Sequence, residues 1–380
     1  IVTVEKSAFK ETYGGAEDFV VSFCQLIRAA AEADTCLVTM HPIGGTGWLP
    51  IVNEFVHQGV HVLACDGRYR GVDNALNMEK ACVDLGNAVR HAKEKLGYAH
   101  VVLLGWSGGG SLSAFYQSQA ENPTVACSPC GAGPDLTKQD FIAADGLILM
   151  AAHVSRHGTL TQWIDASITD ETDPERRDPA LDLYGEDIKP PYTQAFLDRY
   201  RTSQIARNRK ITAWVKHKLQ ELADKGRENE EFAFVTHGTM ADPRWLDPAV
   251  DPNDRKPGWC YLGEPRIVNN GPVGLARFST LRSWLSQWSY DDANANGPKS
   301  LAHVTTPVLV VGNSADDACT PSHTQALFDS VAHDNKEIHV IKGATHYYLG
   351  QPDLAAKSAA LACDWMQRQS LMDKAKRADE

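Results

Sequence analysis

Ser107 lies in Gly105-Trp-Ser-Gly-Gly109, directly after the apolar run Val101-Val-Leu-Leu104. A strand that turns sharply into a helix through Gly-x-Ser-x-Gly sets its serine on a tight elbow, clear of the sheet, where a base can reach the hydroxyl. Glycines flank it because a β-carbon there would collide with the neighbouring strand or helix. The N-terminus of the following helix favours developing negative charge. Ser111 to Gln119 reads as that helix. The five-residue pattern is common by chance, and a plain glycine-rich turn would share it. The case for a nucleophile rests on the partners.

A serine hydroxyl attacks well only when a base takes its proton, and the base needs an acid to orient it. On a strand–elbow–helix scaffold the chain order is serine, acid, histidine. Two later apolar runs end in suitable loops. Pro307 to Val311 leads into Gly312-Asn-Ser-Ala-Asp-Asp-Ala-Cys-Thr-Pro321, which offers Asp316 and Asp317. Ile338 to Ile341 leads into Lys342-Gly-Ala-Thr-His-Tyr-Tyr348, which offers His346. The chain has 14 histidines, most of them expected at the surface or in structural roles, and position alone singles out His346.

With these motifs in order, the chain resembles the α/β-hydrolase superfamily over about residues 36–150 and 300–370. The resemblance implies a serine hydrolase of the esterase or lipase type. Relatives often place the acid four residues before a proline after the penultimate strand. Asp317 stands so before Pro321, with Asp316 as the adjacent alternative. The histidine after the last strand corresponds to His346. The oxyanion hole needs two inward N–H donors. The resemblance assigns one to Gly108, the residue after the nucleophile. The other comes from His41-Pro-Ile-Gly-Gly-Thr-Gly47, the loop after the strand Cys36 to Met40. Relatives usually carry His-Gly-x here, with the N–H of x inward. Pro42 replaces that glycine and has no N–H, at a place not normally the donor. Ile43 is therefore the second donor expected, with Gly44 as its alternative. Asp66-Gly-Arg68 matches a family Asp-x-Arg motif and is expected to hold loops, not to react.

Several elements must position these groups. Alternating apolar strands and helices predict an α/β fold, with a doubly wound, mostly parallel sheet. Ligands of such sheets sit at the carboxyl ends of the strands. Residues 73–97 show helical spacing. Residues 2–35 read as leading strands and turns, with a helix over Glu17 to Ala31 as the alternative. The stretch between Ser107 and the acid loop is much longer than one strand and a few helices require. It contains Trp163, Trp214, Trp245, Trp259, Trp284 and Trp288, six of the chain's nine tryptophans. The expected organisation is a hydrolase core in two parts, 1–151 and 301–380, with a largely helical cap at 152–300 inserted before the penultimate core strand. Within the cap, Gln194 to Leu222 reads as one or two amphipathic helices. Trp284 and Trp288, four apart, are expected to share a helix face. They are candidates for an aromatic substrate wall, although packing of cap on core would use them as well. Trp48, Tyr347 and Tyr348 flank the expected site and are further substrate-contact candidates. His153 and His157, just past a core strand, could face the pocket or serve structural roles.

The chain has 380 residues, 43% of them hydrophobic and 22% charged, as in an ordinary soluble globule. Its net charge of −11 argues against nucleic acid or an anionic membrane as the main partner. No apolar run approaches the roughly 20 residues of a membrane span, and no signal peptide is visible. Nine cysteines, scattered over strands and helices, fit a reducing, cytoplasmic setting better than a disulfide framework. Cys127-Ser-Pro-Cys130 lacks the second pair a zinc site would need. No dinucleotide or phosphate-loop motif is present, so no metal or organic cofactor is expected. Lys374-Ala-Lys-Arg377 reads as a short solvated tail. The expected reaction is hydrolysis of a carboxylic ester or lactone with a bulky apolar or aromatic part, through an acyl-enzyme. The same triad would also serve acyl transfer or cleavage of an amide or carbon–carbon bond. A ligand-binding protein on a hydrolase scaffold is the alternative of another class. The partner expected is a small ester-like molecule, and an exposed apolar face on the cap could support a homodimer.

Overall fold

The computed structural model describes residues 1–5, 12 and 18–372. The basic segment Lys374–Arg377 lies outside them, as does Glu17. Two short strands, β1 (Val2–Val4) and β2 (Phe19–Val21), pair antiparallel. The central sheet takes β3 (Cys24–Ile27), β4 (Thr35–His41), β5 (His61–Asp66), β6 (His100–Ser107) and β7 (Gly146–Ala152). After β7 comes a helical insertion with its own antiparallel pair, β8 (Ala233–Val235) and β9 (Phe278–Thr280). The chain then returns to the sheet as β10 (Val308–Asn313) and β11 (Lys336–Ile341). The seven strands run in the order β11-β10-β7-β6-β4-β5-β3. All pairs are parallel except β3 on β5. The leading segment is therefore extended from Phe19, not helical.

Successive strand residues face opposite sides of the sheet, and the core divides accordingly. Leu103, Leu147 and Leu149 pack on one side, under helices α2 and α3. Val102, Leu104, Ile148 and Met150 pack on the other, under α1 and the helix Pro352–Arg368. These helices are α1 (Pro50–His57), α2 (Met78–Arg90) and α3 (Gly108–Glu121). Both faces being covered explains why the central strands read as near-continuous apolar runs.

The insertion holds α4 (Arg156–Trp163) and α5 (Gln194–Asp224), the latter one unbroken helix. It packs across α4 and the π-helical turn Trp284–Trp288. Asn208 of α5 donates to the Trp288 carbonyl at 2.9 Å, and Trp284 Nε1 donates to Thr212 Oγ1 at 2.9 Å. Among the described residues, no helix is long and apolar enough to cross a membrane.

Candidate active site

The elbow forms where the sequence places its glycines. Ser107 ends β6 with φ 52° and ψ −126°, and α3 begins at Gly108. A non-glycine residue held there stores on the order of 1–3 kcal/mol of strain. Close packing holds the turn. A Cβ on Gly105 would stand 2.8 Å from the Gly110 Cα, and one on Gly109 would stand 2.7 Å from the Met40 carbonyl oxygen.

Ser107, His346 and Asp316 come together at the carboxyl ends of β6, β11 and β10. His346 Nε2 lies 3.2 Å from Ser107 Oγ, and His346 Nδ1 lies 2.8 Å from Asp316 Oδ2. All three are buried. The acid and histidine loops are tied to each other. Ser314 N–H donates to the Ile341 carbonyl, Ala315 N–H to the Ala344 carbonyl, and Asn313 Nδ2 to the Thr345 carbonyl. Tyr348 is part of this tie: its hydroxyl donates to Asn313 Oδ1 at 2.7 Å, and its ring is buried. The expectation that Tyr348 contacts substrate is thus corrected, because its hydroxyl faces the loop below the cavity.

The acid position is corrected by one residue. Asp316, not Asp317, faces His346. Asp316 Oδ1 accepts N–H groups from Ala318 and Cys319 at 2.7 Å each, which turns Oδ2 toward the imidazole. The loop before Pro321 is one residue longer than the spacing rule assumes. The Asp317 carbonyl accepts Trp245 Nε1 from the insertion at 3.0 Å. Burial, and then the charge of Asp316, push the Asp317 carboxyl up to about 6.

The loop after β4 also departs from expectation. Pro42 occupies the second position of a tight turn, where its fixed φ fits. Gly44 N–H closes that turn on the His41 carbonyl at 2.7 Å, and Ile43 N–H donates to His41 Nδ1 at 3.3 Å. Both expected donors are thus turned back onto His41. Gly108 differs, since the first helical N–H has no intrahelical acceptor. His41, missed as a functional residue in the sequence, lines the cavity. Burial, with the Arg156 and His346 charges, lowers its pKa to about 3, so the ring is neutral. With Nδ1 accepting, its proton sits on Nε2. That atom lies 2.7 Å from where a Gly108 Cβ would be. The only signal available was its place in the loop after a core strand.

Asp66 and Arg68 brace the surrounding loops. Asp66 Oδ1 accepts the Gly45 N–H, and Arg68 holds Asp84 through Nη2 at 2.8 Å. Asp316, Cys319 and His346 place ligand-type atoms close together, but His346 turns one nitrogen to Asp316 and the other to Ser107. That donor set is spent on hydrogen bonds and fits a triad better than a metal. All nine cysteines, Cys127 and Cys130 included, are free thiols.

Above Ser107 lies a cavity of about 530 Å³, lined from the core by His41, Trp48, Trp106 and Tyr347 and from the insertion by Trp163, Tyr261 and Trp288. Trp48 and Tyr347 are in contact, with ring centroids 5.6 Å apart. Trp106 packs on His346 at 4.7 Å. His153 lines the cavity, whereas His157 turns Nε2 to Asn296. Trp284 does not line it. The turn Trp284–Trp288 is π-helical, closed by Ser289 N–H on the Trp284 carbonyl. Trp284 and Trp288 both belong to the insertion's own core, and of the two only Trp288 also borders the cavity. A second cavity, of about 430 Å³ around Trp214 and Phe234, contains no triad residue and is not the site of this chemistry.

The fold and this arrangement correspond to a known class. The sequence profile described as "Alpha/beta hydrolase family" matches residues 37–358. The chain belongs to the alpha/beta hydrolase family and is a hydrolase by class. Several solved structures resemble it. The monoacylglycerol lipase of Paleococcus ferrophilus is 14% identical, with a TM-score of 0.46 over 92% of this chain and 100% of that one. DcsB, solved in complex with its substrate analogue, is 15% identical, with a TM-score of 0.48 over 97% and 98% of the two chains. Proline iminopeptidase from Mycobacterium smegmatis is 17% identical, with a TM-score of 0.44 over 92% and 95%. At these identities the likeness says nothing about substrate. No curated protein matches the sequence.

Proposed function

We propose that the protein hydrolyses a carboxylic ester or lactone through an acyl-enzyme on Ser107. The observation that carries this is the unbroken chain Ser107 Oγ to His346 Nε2 at 3.2 Å and His346 Nδ1 to Asp316 at 2.8 Å. In this reading His346 takes the Ser107 proton as Oγ attacks the carbonyl carbon. Asp316 holds the Nδ1–H tautomer and stabilises the imidazolium. The oxyanion is held by the Gly108 N–H and the His41 Nε2–H, each donor worth on the order of 3–4 kcal/mol in the barrier. His346 returns the proton to the leaving alkoxide, and water then releases the acyl group by the reverse sequence.

Residues 152–300 act as a cap whose Trp163, Tyr261 and Trp288 close the cavity over Ser107. Aromatic walls of this kind suit a substrate with a bulky apolar part. The test is covalent. A fluorophosphonate probe should add one adduct by intact mass, located on Ser107, and Ser107→Ala should lose both the adduct and p-nitrophenyl ester hydrolysis. Hydrolysis that survives undiminished in Ser107→Ala would overturn the assignment.

A further inference from the structure

Among the described residues, three charged side chains in the cavity wall, Arg70, Asp73 and Arg156, have no part in the triad chemistry, and of the two cations Arg70 is largely exposed and paired with Asp66 at 2.9 Å. Arg156 opens α4 and is 6% exposed, in a wall otherwise rich in aromatic rings. Its guanidinium lies 4.3 Å over the Trp288 ring. Nε donates to Gln287 Oε1 at 2.9 Å, and Nη2 donates to Asp73 Oδ2 at 2.7 Å. Gln287 is itself held, donating from Nε2 to the Asp73 carbonyl at 2.6 Å and to Ser283 Oγ at 2.7 Å. The guanidinium is thus fixed on three sides. Nη1 has no hydrogen-bond partner among the described residues. It is also not sealed in the protein as the Trp163 and Trp288 indole nitrogens are, so it opens to the cavity.

Burying an arginine is costly unless its donors are used. A bridge to Asp73 alone would need no orienting glutamine and no open donor in the substrate space. A guanidinium held rigid, with one N–H edge bare in a low-dielectric cavity, favours an anionic oxygen. The Tyr261 hydroxyl, on the same wall, has no partner among the described residues and can add a second donor.

We propose that the substrate is an ester bearing a carboxylate remote from the scissile bond, seated on Arg156 Nη1 with its apolar body along the Trp288 wall. The proposal rests on Ser107 as the nucleophile and adds a substrate class to that reading. Asp73 tempers the site, since its carboxylate is 30% exposed beside the arginine and repels a second anion.

The test compares p-nitrophenyl hydrogen suberate with its neutral methyl ester, which have the same length. The wild type should favour the anion in kcat/KM by about tenfold or more, as expected for one charge-assisted hydrogen bond, with the difference mostly in KM. Arg156→Gln should bring the ratio near unity, and Arg156→Lys should restore part of it. Asp73→Asn should raise the ratio, a gain that a merely structural role for the pair would not produce. It also keeps the test open if Arg156→Gln folds poorly. A wild-type ratio of one or less, or a ratio unchanged in all three variants, overturns the proposal while leaving the hydrolase reading intact. Binding of monomethyl suberate and dimethyl suberate to Ser107→Ala, followed by tryptophan fluorescence, separates the two. If the fluorophosphonate adduct fails but the monoanion still binds more tightly than the diester, the anion site stands and the hydrolase reading falls. Equal binding of both overturns the anion site.

Discussion

Asp316→Asn changes one atom of a buried pair, and its effect follows from the hydrogen bonds around it. Asp316 Oδ1 accepts two backbone N–H groups at 2.7 Å, from Ala318 and Cys319. An amide NH2 in that place would set donors against donors, leaving buried groups unsatisfied at about 1–3 kcal/mol each. The asparagine therefore keeps its oxygen toward the backbone and turns its NH2 to His346 Nδ1, 2.8 Å away in the wild type. Nδ1 must then accept, so the imidazole proton moves to Nε2, facing Ser107 Oγ. That tautomer cannot take the serine proton. A triad with the wrong tautomer loses about 10⁴-fold in rate, on the order of 5 kcal/mol in the barrier. Asp317→Asn leaves the pair untouched and should cost less than about tenfold, on the same scale. The assay is kcat/KM on a p-nitrophenyl ester at pH 7.5 and 9, with circular dichroism to confirm folding. If Asp317→Asn is the damaging change, or Asp316→Asn keeps activity near the wild type, the assignment of the acid is wrong.

Asp317 gives a stability prediction with a definite sign. Its folded pKa of about 6, raised by burial and then by the Asp316 charge, lies above the ordinary aspartate value of roughly 4. Its contribution is fully favourable below pH 4 and is lost as pH rises through 6. Asp317→Asn should therefore gain melting temperature relative to the wild type at pH 7.5 and gain less or nothing at pH 4.5. A difference independent of pH would refute this. At the elbow, Gly105→Ala would press a methyl to 2.8 Å from the Gly110 Cα, a backbone atom that cannot rotate away. A loss on the order of 1–3 kcal/mol in urea unfolding is expected, and a neutral result would count against the tight-elbow account.

The parts legible in the sequence were those written locally. An apolar run ending in Gly-x-Ser-x-Gly leaves the backbone few ways to turn, so Ser107 could be placed without knowing its surroundings. His346 could be placed because it follows a recognisable strand, and the structure brings it to Ser107 across 239 positions of chain. Choosing between Asp316 and Asp317 was beyond any local rule. Two adjacent carboxylates differ only in direction, and their direction is set by the N–H groups of Ala318 and Cys319 and by the ties from β10 to the histidine loop. Tyr347 and Tyr348 are likewise neighbours with different surroundings, Tyr347 lining the cavity and Tyr348 bonded to Asn313.

The helical insertion was least legible. Trp284 and Trp288 share one buried cluster, yet only Trp288 reaches the cavity, a difference that their spacing does not carry. Arg156 gave no signal beside His153 and His157, because its meaning comes from Asp73, Gln287 and Trp288, which are distant in sequence. His41 became a candidate donor only because Pro42 folds the loop so that the Ile43 and Gly44 N–H groups turn back onto His41. Taken alone, the sequence determined the fold class, the elbow and the order of the triad, because short-range sterics and strand periodicity specify them. The tertiary structure decided which acid faces His346, where the N–H groups after β4 turn, and which charged groups line the cavity. Those depend on where side chains converge from separate elements, and no local pattern encodes that convergence.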